Sequence, residues 1–129
     1  MLEEHEIQIR VRYQETDAMG ILHHTNYLTY FEMGRTELLR ANGMSYRDVE
    51  AMGVFMVVVR MECNYRRPAR YDDLLTLRTR TRRVTAARID HEYQLLRGDE
   101  LLCEANSTLA CVDRQGSVQR VPDWMRRGQ

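Results

Sequence analysis

Ile7, Ile9, Val11 and Tyr13 alternate with Gln8, Arg10 and Arg12. A period of two predicts a strand with one buried face. The alternation stops at Gln14, and Gln14 to Gly20 reads as a loop. From Tyr27 the period lengthens, and Tyr27, Tyr30, Phe31, Gly34, Leu38 and Ala41 fall on one helical face. Asn26 can cap this helix and Asn42-Gly43 can end it. It runs for about 16 residues and is the only long helix the pattern predicts. Ser45 can cap a short second turn, Tyr46 to Met52, that Gly53 closes.

After Gly53 the pattern turns to strands. Val54 to Met61 is a nearly continuous apolar run, as expected of a strand buried on both faces. Leu75, Leu77, Thr79 and Thr81 alternate with Thr76, Arg78, Arg80 and Arg82. Ala87, Ile89, His91, Tyr93 and Leu95 alternate with Arg88, Asp90, Glu92 and Gln94, and Gly98-Asp99 makes a hairpin turn into a last strand, Leu101 to Val112. Val84 to Ala86 marks a bend. The order is strand, long helix, four strands: an α+β domain with one helix against a mostly antiparallel sheet. A single domain over 1–129 is expected, with 121–129 as a loosely held tail.

Composition narrows the chemistry. All 19 basic residues are arginine and the net charge is zero. With no lysine, Schiff-base and P-loop lysine chemistry are excluded. The zero balance argues against bulk electrostatic binding of nucleic acid. There is no apolar run of membrane-spanning length and the acidic start, Met1 to Glu6, lacks a signal peptide's apolar stretch. Cys63, Cys103 and Cys111 match no zinc spacing, so reduced thiols and a cytoplasmic protein are expected, with no metal and no cofactor.

Polar and special-conformation residues are densest from Tyr13 to Tyr27, between the first strand and the helix. A carboxylate here, Asp17, can lie close to unpaired N–H groups at the helix start, where developing negative charge is stabilised. Gly20 allows a close backbone approach. The plain alternative is that Asp17 forms a turn and that His23-His24 is a packing feature. Glu15, Asp17, His23 and His24 could also be imagined around a metal, although adjacent histidines rarely share one ion.

The run Tyr13-Gln14-Glu15-Thr16-Asp17-Ala18-Met19-Gly20, with His23-His24, Asn26-Tyr27 and Phe31 to Arg35, resembles the hotdog-fold acyl-CoA thioesterases of the 4-hydroxybenzoyl-CoA thioesterase family, in the branch linked to the Tol-Pal envelope system. Val57-Val58-Val59, Tyr65-Arg66-Arg67-Pro68-Ala69-Arg70-Tyr71-Asp72-Asp73 and Cys111-Val112-Asp113 extend the likeness over residues 7–122. The resemblance implies five antiparallel strands wrapped around the long helix. It also implies a homo-oligomer, dimer or tetramer, with active sites between subunits. Asp17 would be nucleophile or general base, and the His24 backbone N–H the oxyanion donor. The His24 side chain would orient substrate or water. Tyr13, Gly20, His23 and Tyr27 would shape the site. Tyr46, Phe55, Val57 and Val59 are acyl-pocket candidates.

Coenzyme A carries phosphates with about four negative charges, which suit arginine. Between Arg66 and Arg97 nine arginines face four acids. Arg78, Arg80 and Arg82 share one strand face and read as a solvated outer surface. Arg83 and Arg88 flank the bend, where the resemblance implies a phosphate grip, and Arg66 and Arg67 are second candidates. Three other classes fit the sequence less well. A non-catalytic hotdog module binding acyl thioesters or a protein partner is opposed by the intact motif around Asp17. A hotdog dehydratase is opposed by the Thr16-Asp17-x-x-Gly20 spacing. A nucleic-acid protein is opposed by aromatics that do not interleave with arginine.

Overall fold

The computed structural model describes residues 1–126. Strand β1 is Glu4–Arg10, the long helix α1 Thr25–Ala41, and a short helix α2 Tyr46–Ala51. Then come β2 (Phe55–Tyr65), β3 (Leu74–Val84), β4 (Ile89–Arg97), β5 (Glu100–Val112), the two-residue β6 (Val118–Gln119) and a last helical turn, α3 (Asp123–Arg126). Neighbouring strands run β1-β3-β4-β5-β2, all antiparallel, with β6 extending the sheet beside the end of β5. Helix α1 packs on β1, β3 and β4. This is the expected hotdog arrangement of five main strands and one long helix.

The alternation is obeyed where both neighbours exist. Leu75, Leu77 and Thr79 on β3, and Ile89, His91, Tyr93 and Leu95 on β4, turn inward and are buried. The intervening arginines face outward in ion pairs, Arg78 with Glu6 (2.6 Å) and Arg80 with Glu92 (3.7 Å). Gly34 lets α1 lie close on β3. A Cβ there would fall 2.3 Å from Thr79 Oγ1 and 2.8 Å from Leu77 Cδ2.

Three expectations are corrected. Strand β2 is not buried on both faces within this chain: it forms the sheet edge, and Val57, Val58 and Val59 are exposed. Composition reports that a strand is suited to burial, not what covers it. Asn26 is not the cap of α1. The helix begins after His24, which makes no side-chain cap, while Asn26 Nδ2 donates to the Glu15 carbonyl at 2.9 Å. The chain end is not a loose tail up to residue 126. Val121 is fully buried, its N–H donates to Ala86 O (2.9 Å), and Met125 packs into the core. The last part of the expected tail, 127–129, lies outside the described residues.

Candidate functional site

The loop from Tyr13 to His24 is held from both sides. Tyr13–Glu15 forms a 3-10 turn. The Glu15 side chain points inward, where its carboxylate accepts from the Tyr30 hydroxyl (2.8 Å), the Arg12 N–H (2.8 Å) and the Arg12 guanidinium (3.1 Å). Burial works to raise its pKa, but these donors outweigh burial and hold it below the usual glutamate value. The Glu15 carbonyl accepts from His23 N–H (2.8 Å), tying the loop to the helix start. Leu22 N–H donates to Ala69 O (2.8 Å) in the Pro68 to Asp73 segment. Asp73 in turn accepts from Arg70 N–H (2.8 Å) and Arg97 (2.7 Å), so this second motif acts as scaffold beneath the first.

Asp17 begins a tight turn. Its Oδ1 accepts from Met19 N–H (2.8 Å) and more weakly from Ile21 N–H (3.4 Å), and its carbonyl accepts from Gly20 N–H (2.9 Å). Gly20 adopts φ +75°, which the turn requires and side chains disfavour. Asp17 is therefore a turn former, as the plain reading has it, through one oxygen only. Among the described residues, Oδ2 has no hydrogen-bond partner. The helix start shows a matching vacancy in its pairing. His23 N–H donates to Glu15 O, Thr25 N–H to His23 Nδ1 (3.3 Å) and Asn26 N–H to His23 O (3.0 Å). Among the described residues, the His24 N–H between them meets no acceptor.

Asp17 and His24 line one groove of about 320 Å³, with Tyr27, Tyr65, Arg66 and Arg67 among its walls. Tyr27 is buried and stands edge-on to Tyr65, ring centroids 4.9 Å apart. Burial pushes its phenol above the ordinary value, a neighbouring Cys103 adds to this, and a backbone contact at Ala69 opposes it. Arg66 pairs with Glu104 and Arg67 with Glu100 (3.4 Å) at the groove's rim. Tyr65 opens the Tyr65 to Asp73 segment that carries the resemblance, but no site role was expected of it; its place in the groove depends on where the edge strand ends beside the helix.

The thioesterase-like superfamily matches residues 11–128 of this chain. The acyl-CoA thioesterase YbgC of Haemophilus influenzae is 37% identical over 106 residues, covering 81% of this chain and 78% of that protein. The acyl-CoA thioester hydrolase YbgC of Escherichia coli O6:H1 is 34% identical over 106 residues, 81% of this chain and 79% of that protein. The solved structure of a DHNA-CoA thioesterase from Staphylococcus aureus superposes with a TM-score of 0.90 at 28% identity, covering 95% of this chain and 86% of that one. The chain belongs to the thioesterase-like superfamily.

Other expected site residues lie elsewhere in this thioesterase-like chain. Tyr13 is 77% exposed and meets Tyr71 edge-on at 5.3 Å, outside the groove walls. The His23 ring stacks on His24 (4.3 Å) and bonds Thr25 Oγ1 (2.9 Å). Val57 and Val59 stand on the exposed edge strand. Tyr46 borders a different cavity, near the far end of α1. Arg83 and Arg88 are exposed at the β3–β4 turn, away from Asp17, and neither forms an ion pair among the described residues. Glu15 is turned away from Asp17, so the imagined metal set does not come together; no group of three or more His, Cys, Asp or Glu suited to a metal gathers among the described residues.

Proposed function

We propose that this protein hydrolyses acyl-CoA thioesters to a free carboxylic acid and CoA, with Asp17 and the His24 backbone N–H as its working pair. The carrying observation is that one groove is lined by Asp17, whose Oδ2 has no hydrogen-bond partner among the described residues, and by His24, whose N–H meets no acceptor among them. The His24 N–H stabilises the oxyanion as the thioester carbonyl becomes tetrahedral. Asp17 Oδ2 either attacks the carbonyl carbon, giving an anhydride that water then cleaves, or takes the proton of an attacking water. In both routes the C–S bond breaks, the CoA thiolate leaves, and water supplies the oxygen of the product acid. Oδ1 stays bonded to the turn and keeps the reactive oxygen aimed.

Asp17→Asn is the test, because the amide oxygen can still accept from Met19 N–H while the negative charge is gone. Thiol release over a panel of acyl-CoA esters should fall by about a hundredfold or more in kcat, with a modest change in KM. Wild-type turnover in this variant would overturn the mechanism. Ligand binding without thiol release by the wild-type protein would favour a non-catalytic module instead.

Arg66 and Arg67 are proposed to meet CoA phosphates at the groove's rim. Arg83 and Arg88 can serve only a neighbouring subunit's groove. That fits the proposed dimer, in which the exposed valine edge of β2 pairs with a second copy. No described helix is long and apolar enough to cross a membrane. Three free cysteines, with burial raising the thiol of Cys103 to about 12, suit the cytoplasmic location proposed for this protein.

A further inference from the structure

The core is divided. One apolar cluster gathers Val11, Tyr30, Phe31 and Leu75 below the Asp17 loop, and another gathers Leu39, Val49, Leu109 and Met125 at the other end of the sheet. Besides Glu15, the buried polar residues among those described are Arg35, Thr79, His91 and Ser107. The Tyr93 hydroxyl joins Ser107 Oγ (2.6 Å), and Arg35 Nη1 donates to Tyr93 at 3.5 Å.

Arg35 and His91 border a cavity of about 50 Å³, with Leu38, Leu39, Ile89 and Met125 among its apolar walls. Leu2 and Asn42, joined by two hydrogen bonds (2.6 and 3.1 Å), also line it. The cavity shares no wall residue with the Asp17 groove. Arg35 follows Thr25 by ten residues, about 15 Å of helix.

The polar side of this cavity has too little negative charge. The Arg35 side chain is only 9% exposed; its one ion-pair partner among the described residues, Glu32, lies 3.8 Å away and is 69% exposed, and the Tyr46 hydroxyl on the cavity wall is a neutral hydrogen-bond partner. A buried cation so weakly compensated is costly. His91 does not supply an anion. Burial first, and the Arg35 cation second, keep its ring neutral with a pKa of about 4, against a small opposing pull from Asp90. His91 is 7% exposed and its Nδ1 has no hydrogen-bond partner. A neutral imidazole can present an N–H to an acceptor. At about 10–15 Å³ for each water-sized group, the space holds roughly four heavy atoms. One anionic end and one apolar end are called for. That excludes phosphate and sulfate, which have no apolar part.

We propose that this cavity is a second ligand site that takes a short-chain monocarboxylate of acetate or propionate size, its carboxylate on Arg35 and its alkyl end against Leu38, Ile89 and Met125. The site needs no chemistry at Asp17. A thioesterase that releases short acids would generate its own ligand.

Calorimetric titration of the full chain with sodium acetate, propionate and butyrate, against sodium chloride at matched ionic strength, is the test. Saturable binding and a raised Tm with acetate or propionate, but not chloride, are expected. Arg35→Met removes the cation, and Val84→Phe fills the cavity from its rim; each should weaken binding at least about tenfold, the worth of one charge-assisted contact. If Arg35→Met does not fold, Val84→Phe decides. No saturable carboxylate binding, an equal response to chloride, or undiminished affinity in the folded variants overturns the proposal. The same titration on Asp17→Asn should be unchanged, which separates this site's failure from failure of the proposed hydrolase.

Discussion

At Asp17 one carboxylate has two separable uses. Oδ1 closes the turn onto Met19 N–H, and Oδ2, which has no hydrogen-bond partner among the described residues, is the oxygen proposed to react. Asp17→Ala removes both uses and should lower Tm as well as activity, whereas Asp17→Asn should lose activity with Tm preserved; paired melting curves check this. His91 carries a second residue-scale prediction. Its folded pKa is about 4 against an ordinary 6.5, so the unfolded chain binds the proton first. Stability is full above 6.5 and declines as pH falls towards 4, by about 3 kcal/mol. His91→Leu should flatten that part of a urea-midpoint-against-pH curve. The sequence exposed Asp17 because a motif of fixed spacing surrounds it. It hid Arg35, whose i,i+3 relation to Glu32 looks the same on a solvated face as on a buried one.

Between helix and sheet, one position is tightest. The Cβ of Gly34→Ala would overlap Thr79 Oγ1 and Leu77, side chains already packed on β3. Overpacking of this kind costs about 1–3 kcal/mol, and chemical denaturation should show the loss without a change in the folded far-UV spectrum. The helix and main strands were legible because each has a buried side and an exposed side, and that contrast writes a period into the sequence. The start of α1 was less legible. Asn26 has the right chemistry for a cap, but its side chain is drawn to the Glu15 carbonyl by a loop eleven residues upstream. Tertiary competition of this kind leaves no local signal.

For the molecule as a whole, the exposed edge of β2 is the outstanding feature. An apolar edge strand invites pairing with another chain. Val58 is 47% exposed there, and the register slips between Val58 and Arg60, leaving Val59 without a partner on β5. Val58→Lys places a charge on that edge. Sedimentation should show a shift from the proposed dimer towards monomer, and thioester hydrolysis should fall with it if the site needs two subunits. Arg83→Ala and Arg88→Ala test the same arrangement from the substrate side. KM should rise about two- to fivefold for exposed contacts while kcat holds, and the effect should shrink in high salt.

The sequence by itself determined the α+β class, the order of the main elements, the faces they bury, and the loop that carries Asp17 and His24. These follow from side-chain periodicity and from motifs whose residues are close along the chain. Only the tertiary structure decided that Tyr65, Arg66 and Arg67 join Asp17 in one groove, that β2 is the edge, that Val121 and Met125 are core, and that Arg35 and His91 share a cavity. Each depends on distant segments meeting, through sheet order, helix placement and burial. No local spacing of hydrophobic and polar residues encodes those meetings.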